Sequence, residues 1–83
     1  MITFGSKITC IDATGTETLE GLVIKIDPTY RMCLVLLSSG SYIYRMLHEC
    51  TLLEQMPLEV LLTHEHIQVR KAGLKAQILR QAC

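Results

Sequence analysis

The chain has 83 residues, 49% of them hydrophobic, with eight basic and eight acidic side chains and a formal net charge of zero. That describes one small domain with enough Leu, Ile, Val and Met for a packed core, and it excludes a disordered chain. The missing basic surplus argues against a free-standing nucleic-acid binder, and the longest apolar run, Met32 to Leu37, is far too short to span a bilayer.

Lys7 to Asp12 (KITCID) alternates and is rich in β-branched residues, which predicts a first strand. Ala13 to Thr18 is a turn cluster. Leu19 to Ile26 reads as a second strand, long enough to bend at Gly21, where a missing side chain lets a strand curve over a core. Asp27-Pro28-Thr29 opens a turn: Asp bonds its own backbone and Pro pre-sets the next dihedral. Met32 to Leu37 is a third strand, Ser38-Ser39-Gly40 a tight turn, Ser41 to Leu47 a fourth strand, and Cys50 to Glu54 or Gln55 a short fifth. Five short strands at this spacing predict a barrel or tightly curled sheet over residues 1–56.

Strands three and four are apolar on both faces. Met32, Leu34 and Leu36 lie on one, Cys33, Val35 and Leu37 on the other, and Tyr42, Tyr44 and Met46 oppose Ile43 and Leu47. A sheet with one face in water alternates more cleanly, so the second face must be covered, either by this chain's own helix or by another protein.

The period changes at Pro57. Leu58, Leu62, Glu65, Val69, Ala72, Ala76, Leu79 and Cys83 fall at alternating four- and three-residue steps, predicting a C-terminal helix over 57–83. Pro57 suits the first helical position, and a start with Thr63 as N-cap and Glu65 in the first turn is the other option. Ile67, Leu74 and Ile78 form a second apolar stripe, with Arg70, Lys71, Lys75 and Arg80 between the two. Gly73 costs about 1 kcal/mol against Ala, so this helix depends on packing. One stripe can lie on the barrel, which leaves the other for a helical partner. Charge divides the same way: residues 1–56 hold four basic and six acidic side chains, residues 57–83 four basic and two acidic.

Chemistry-bearing residues give little. Cys10, Cys33, Cys50 and Cys83 form no C-x-x-C pair and lie largely in apolar segments, so they read as free thiols. The N-terminal MITFGSKITC has no secretory pattern, which points to a soluble intracellular chain. His48-Glu49-Cys50 and His64-Glu65-His66 hold zinc-type donors, but an H-x-H pair on a helix aims its rings about 200° apart, so capping or solvent-facing histidines are the expectation and no metal is predicted. Cys33 or Cys50 beside a histidine lacks an orienting third group, and Thr14-Gly15-Thr16 is no phosphate loop because no G-K-[ST] follows. Asp12, Glu17, Glu20 and Asp27 read as turn and rim charges. No catalytic residue and no cofactor are predicted. For nucleic acid the best candidates are Tyr30 and Arg31 at the hairpin tip, with Arg45 nearby; the simpler reading of the tip is a solvated turn.

With Gly21, Asp27 and Leu34 in place, the hairpin resembles the first motif of the Sm and LSm proteins: a glycine, an aspartate six residues on, and an apolar position seven further. RNA-binding members carry an aromatic residue and an asparagine in that turn, where this chain has Thr29 and Arg31. They also carry an Arg-Gly pair after strand four, where it has Met46, Leu47 and His48. Within the superfamily the chain is most similar to the degenerate Sm-like Gemin subunits of the survival-of-motor-neuron (SMN) complex, through Gly21, Val23, Asp27-Pro28, Gly40-Ser41, His48, Glu54-Gln55-Met56, Val69-Arg70 and Leu74.

The resemblance implies a mainly β, SH3-like bent barrel of five strands with a C-terminal helix. It implies a non-catalytic scaffold subunit that pairs strand edges with a second Sm-like, Gemin-type subunit, meets other SMN-complex or Sm proteins, and assists spliceosomal snRNP assembly in cytoplasm and nucleus without a uridine pocket. The residues expected at such interfaces are Tyr42, Ile43, Tyr44 and Met46 on strand four, Cys50, Leu52 and Leu53 on strand five, and Leu58, Leu62, Val69 and Leu79 on the helix. The alternatives are an RNA-binding LSm-type homomeric ring using Tyr30 and Arg31, and an SH3-like barrel that docks peptides.

Overall fold

In the computed structural model, which describes residues 1–82, five antiparallel strands form a single sheet. They are β1 (Ser6–Ile11), β2 (Thr18–Asp27), β3 (Met32–Leu37), β4 (Tyr42–Met46) and β5 (Cys50–Gln55). The order across the sheet is β4-β3-β2-β1-β5. Strands β4 and β5 are joined by a single 3-10 turn, Leu47–Glu49, yet lie at opposite edges. The predicted strands agree with these to within one residue at each end. Asp12 and Ser41 fall outside their strands, and Leu47 belongs to the 3-10 turn.

The sheet curls because β2 is long and has two devices that bend it. Gly21 lies under β3: a Cβ there would come 2.5 Å from the Leu36 carbonyl oxygen and 2.6 Å from a Val35 methyl. Two residues on, the ladder slips. Val23 faces Val35 but Lys25 faces Leu34, so Ile24 is the extra residue of a β-bulge. The slip resets the alternation, sending Leu22, Ile24 and Lys25 to the outer face and Val23 and Ile26 to the inner one.

Two cores result. The inner one is formed by Ile8, Cys10, Val23, Cys33 and Val35, with Ile43, Leu47, Cys50 and Leu52 packed around them, so all five strands contribute. The outer one is Ile24 and Leu36 against Leu61, Val69, Ala72 and Ala76 from the helical segment. The doubly apolar third strand thus has one face in each core.

The segment after β5 is two helices, not one: α1 (Leu58–Leu62) and α2 (Ile67–Gln81). Thr63, the N-cap of the alternative later start, instead ends α1, its hydroxyl donating to the Glu59 carbonyl at 2.6 Å. Glu65 lies in the break rather than in a first helical turn. The N-cap of α2 is His66, whose Nδ1 accepts from the Gln68 amide at 3.1 Å, while His64 Nδ1 accepts from the His66 amide at 3.0 Å. The break shifts the phase. Leu61, outside the predicted seam, is fully buried, whereas Leu62 is half-buried. Cys83, the last residue of that seam, lies outside the described residues.

Gly73 acquires a role that propensity alone does not give it. A Cβ at this position would meet Leu61 Cβ at 2.8 Å and the Leu61 carbonyl carbon at 3.2 Å, so the glycine is what lets α1 lie on α2. Gly73→Ala is expected to lower stability by about 1–3 kcal/mol through overpacking, although Ala is the better helix former by about 1 kcal/mol. A urea midpoint raised by this substitution would show that propensity outweighs packing.

Candidate functional site

The interaction surface expected from sequence divides, in the fold, into exposed and internal residues. On β4, Tyr42 and Tyr44 stand on the outer face, 47% and 57% exposed, while Ile43 points into the inner core. Tyr42 leans on the α2 N-terminus: its hydroxyl is 3.3 Å from His66 Nε2, and the rings meet edge to face at 6.1 Å. Because His66 Nδ1 already accepts an amide proton, Nε2 is the protonated nitrogen of the neutral ring and donates to the tyrosine oxygen. Met46, at the end of β4, is half-buried, and its amide donates to the Glu49 carboxylate at 2.9 Å.

On β5, Cys50 and Leu52 are half-buried against the inner core, but Leu53 is 48% exposed. Leu53 is the extra residue of a second bulge, since Lys7 faces Glu54 while Ile8 faces Leu52. Among the described residues no backbone ladder joins β4 to β5, so each strand presents one unpaired edge. The gap is bridged by side chains. Arg45 Nε donates to the Ile11 carbonyl at 2.7 Å, tying β4 to the end of β1, and Cys50 Sγ approaches Cys33 Sγ at 3.7 Å across the interior.

Of the helical candidates, Leu58 packs on the outer core, Leu62 is half-buried and Leu79 is 47% exposed. Val69 is a correction. It is fully buried in this chain's own core and has no surface left for a partner. The reason is the choice of stripe: α2 lays down its small residues, Ala72, Gly73 and Ala76, beside Val69, and leaves Ile67, Leu74 and Ile78 in solvent.

The nucleic-acid candidates are not gathered into a basic track. Tyr30 is exposed at the β2–β3 tip, and Arg31 takes the left-handed position that closes the turn, with φ of 52°. Asp27 shapes that turn, its carboxylate accepting from the Thr29 amide at 3.0 Å and the Tyr30 amide at 3.3 Å. Arg45 is committed to carbonyls, donating also to that of Tyr44 at 2.7 Å. Asp12, in the β1–β2 loop, acts alike. Burial alone would raise its carboxyl, but bonds from the Glu17 amide, the Thr14 hydroxyl and the Thr16 amide hold it below the usual range.

Three of the four thiols meet in the inner core. Cys10 faces Cys50 across the β1–β5 ladder, and Cys33 lies opposite. Burial raises all three, and the neighbouring Cys33 adds to burial in pushing Cys50 up to about 12. Such thiols are poor nucleophiles at neutral pH. Among the described residues no three His, Cys, Asp or Glu side chains converge in a way that could hold a metal ion.

Sequence reasoning missed two concavities. An open groove of about 1010 Å³ runs between the outer face of β2–β3 and the α1–α2 turn, floored by Leu22, Leu36 and Met56 and walled by His64 and His66. A smaller cleft of about 300 Å³ lies beside Tyr44, Lys25 and Lys75, with the Lys75 ammonium 5.1 Å from the centre of the Phe4 ring. The larger groove depends on the helix break at Thr63–His66, for which the sequence has no Gly or Pro signal.

Two outcomes follow. Arg31→Gly is expected to stabilise the fold by about 0.5–1 kcal/mol by relieving the left-handed backbone, while Asp27→Ala costs about 1 kcal/mol through the lost turn bonds. Paired denaturation curves measure both. The thiols set an alkaline limb. From the ordinary value of 9.0 up to about 12, the unfolded chain releases a Cys50 proton that the folded chain keeps, so stability falls as pH rises through this window. Urea midpoints at about pH 8 and about pH 10.5 are expected to differ less in Cys50→Ala than in the parent, and an unchanged difference would refute the assignment.

No protein-family model matches the chain, and no curated protein matches it significantly in sequence.

Proposed function

We propose that the chain is a non-catalytic Sm-like scaffold subunit. It pairs through its sheet edges with a second Sm-like subunit, in an SMN-type complex that assists spliceosomal snRNP assembly. The observation that carries this reading is the sheet order β4-β3-β2-β1-β5, which leaves two edges open on one curled sheet. Unpaired strand edges are templates for another chain, and side chains that alternate along them supply specificity. Here the β4 edge offers Tyr42 and Tyr44 and the β5 edge offers Leu53, all about half exposed. The Gly21-to-Asp27 hairpin supports the Sm-like part of the reading, because both residues have structural duties there: Gly21 under β3 and Asp27 in the turn.

A scaffold rather than an enzyme is favoured by the thiol chemistry. Cys10 and Cys33 are buried and Cys50 is half-buried, burial raises all three thiols, and the histidine nitrogens nearest a groove hold a helix end. Direct uridine recognition is disfavoured by Thr29 and Arg31 in the turn and by the carbonyl bonds of Arg45.

The chain alone is expected to be poorly soluble and to be rescued by co-expression with a second Sm-like subunit as a defined heteromer in native mass spectrometry. Tyr44→Lys with Leu53→Lys is expected to weaken that pairing by about tenfold or more, roughly 1.4 kcal/mol, without loss of secondary structure by circular dichroism. A well-behaved monomer with no affinity for such subunits would sink the proposal. A homomeric ring that binds oligouridine and loses it on Arg31→Ala would replace it with the LSm reading.

A further inference from the structure

Helix α2 has an outer face that the strand-edge reading does not use. Ile67, Leu74 and Ile78 are 53%, 53% and 66% exposed, while Val69, Ala72 and Ala76 on the opposite side are nearly or fully buried, so the helix cannot roll to hide the stripe. With Lys71 the exposed residues fall at steps of four, three and four, the spacing of a two-heptad seam. Ile67 and Leu74 occupy one core-type position, Lys71 and Ile78 the other.

The charge on this helix is one-sided. Between Ile67 and Gln81 it carries Arg70, Lys71, Lys75 and Arg80 and no acidic residue. The rest of the chain, with four basic and eight acidic side chains, carries −4. Among the described residues the only ion pair is Lys7 with Glu20, so none of the four helix cations meets a carboxylate. Arg70 and Arg80 are turned onto backbone carbonyls of His64, Glu65 and Met56. Lys71 lies in the middle of the seam, and Lys75 flanks it beside Phe4.

We infer that the outer face of α2 docks an acidic amphipathic helix of a partner protein. That helix lays apolar residues at heptad spacing on Ile67, Leu74 and Ile78 and sets a carboxylate opposite Lys71. A lysine at a core-type position costs stability in a symmetric pair but fixes register with an acidic mate. A second copy of α2 would bring cation onto cation. A membrane surface is a poorer fit because the stripe is narrow, lacks aromatic side chains and has a lysine at its centre. RNA is a poorer fit because the apolar stripe would stay in water, and Phe4, the ring under Lys75, is partly buried against the outer core.

The test uses the full chain and three fluorescent peptides: a three-heptad helix with Leu and Ile at its seam and Glu on its flanks, the same composition scrambled, and a Lys-flanked version. Binding is expected for the first alone, weakening with added salt. Leu74→Ser with Ile78→Ser, and separately Lys71→Glu, are expected to weaken it tenfold or more while leaving the circular-dichroism melt in place. The Tyr44→Lys, Leu53→Lys chain is expected to keep it, which separates failure of this face from failure of the strand edges. The inference is overturned if the scrambled peptide binds equally or no peptide binds. It is also overturned if phosphatidylserine vesicles or oligouridine displace the peptide, or if the chain dimerises through these same residues.

Discussion

Everything in this fold depends on β2 burying both of its faces at once. Consecutive residues Val23 and Ile24 point in opposite directions, and each is lost to solvent in a different core. A domain of 83 residues has too little interior to spread over one flat layer, so a strand that serves two cores is an efficient use of a short chain. The constraint propagates. Gly21 must be bare for β3 to cross closely, the bulge at Ile24 must reset the alternation, and β3 must itself be apolar on both sides. The curl then carries β4 and β5 to opposite edges although only three residues separate them.

The β part of this architecture was legible in the sequence because its signals are local. Alternation in KITCID, the Asp-Pro turn and the Ser-Ser-Gly turn each act on their own neighbours, and the strand ends came out within a residue. The helical part was not, for two reasons. The break at Thr63–His66 contains neither Gly nor Pro; it is made by a threonine hydroxyl at one end and histidine nitrogens at the other, groups that serve equally well on a continuous surface. The stripe that docks was also chosen by fit rather than by hydrophobicity. Small residues let α2 approach the sheet and α1 closely, and the larger Ile and Leu were left outside.

The candidate surface was legible to the same degree. The period of two put Tyr42 and Tyr44 on one face of the fourth strand and Ile43 on the other, while the edge position of that strand was implied by the Sm-like resemblance. Leu53 owes its exposure to a bulge that no pattern announces, and Val69 was misplaced for the reason just given. Arg45 looked like a spare cation near the hairpin, but its guanidinium bonds a carbonyl across the sheet. What survives as available surface is short, apolar and split between two strand edges and one helix face. The proposed scaffold role rests on that pattern.

The two cores have different membership, and that has a consequence for how the molecule comes apart. The inner core draws on all five strands and on no helix, while the outer one closes only when α1 and α2 lie across β2 and β3. Lifting the helices would expose Ile24 and Leu36 but leave Val23, Val35 and Ile8 enclosed. The helical pair is therefore expected to open as a separate cooperative unit at lower free energy than the sheet, its amides exchanging with solvent before those at the sheet's centre.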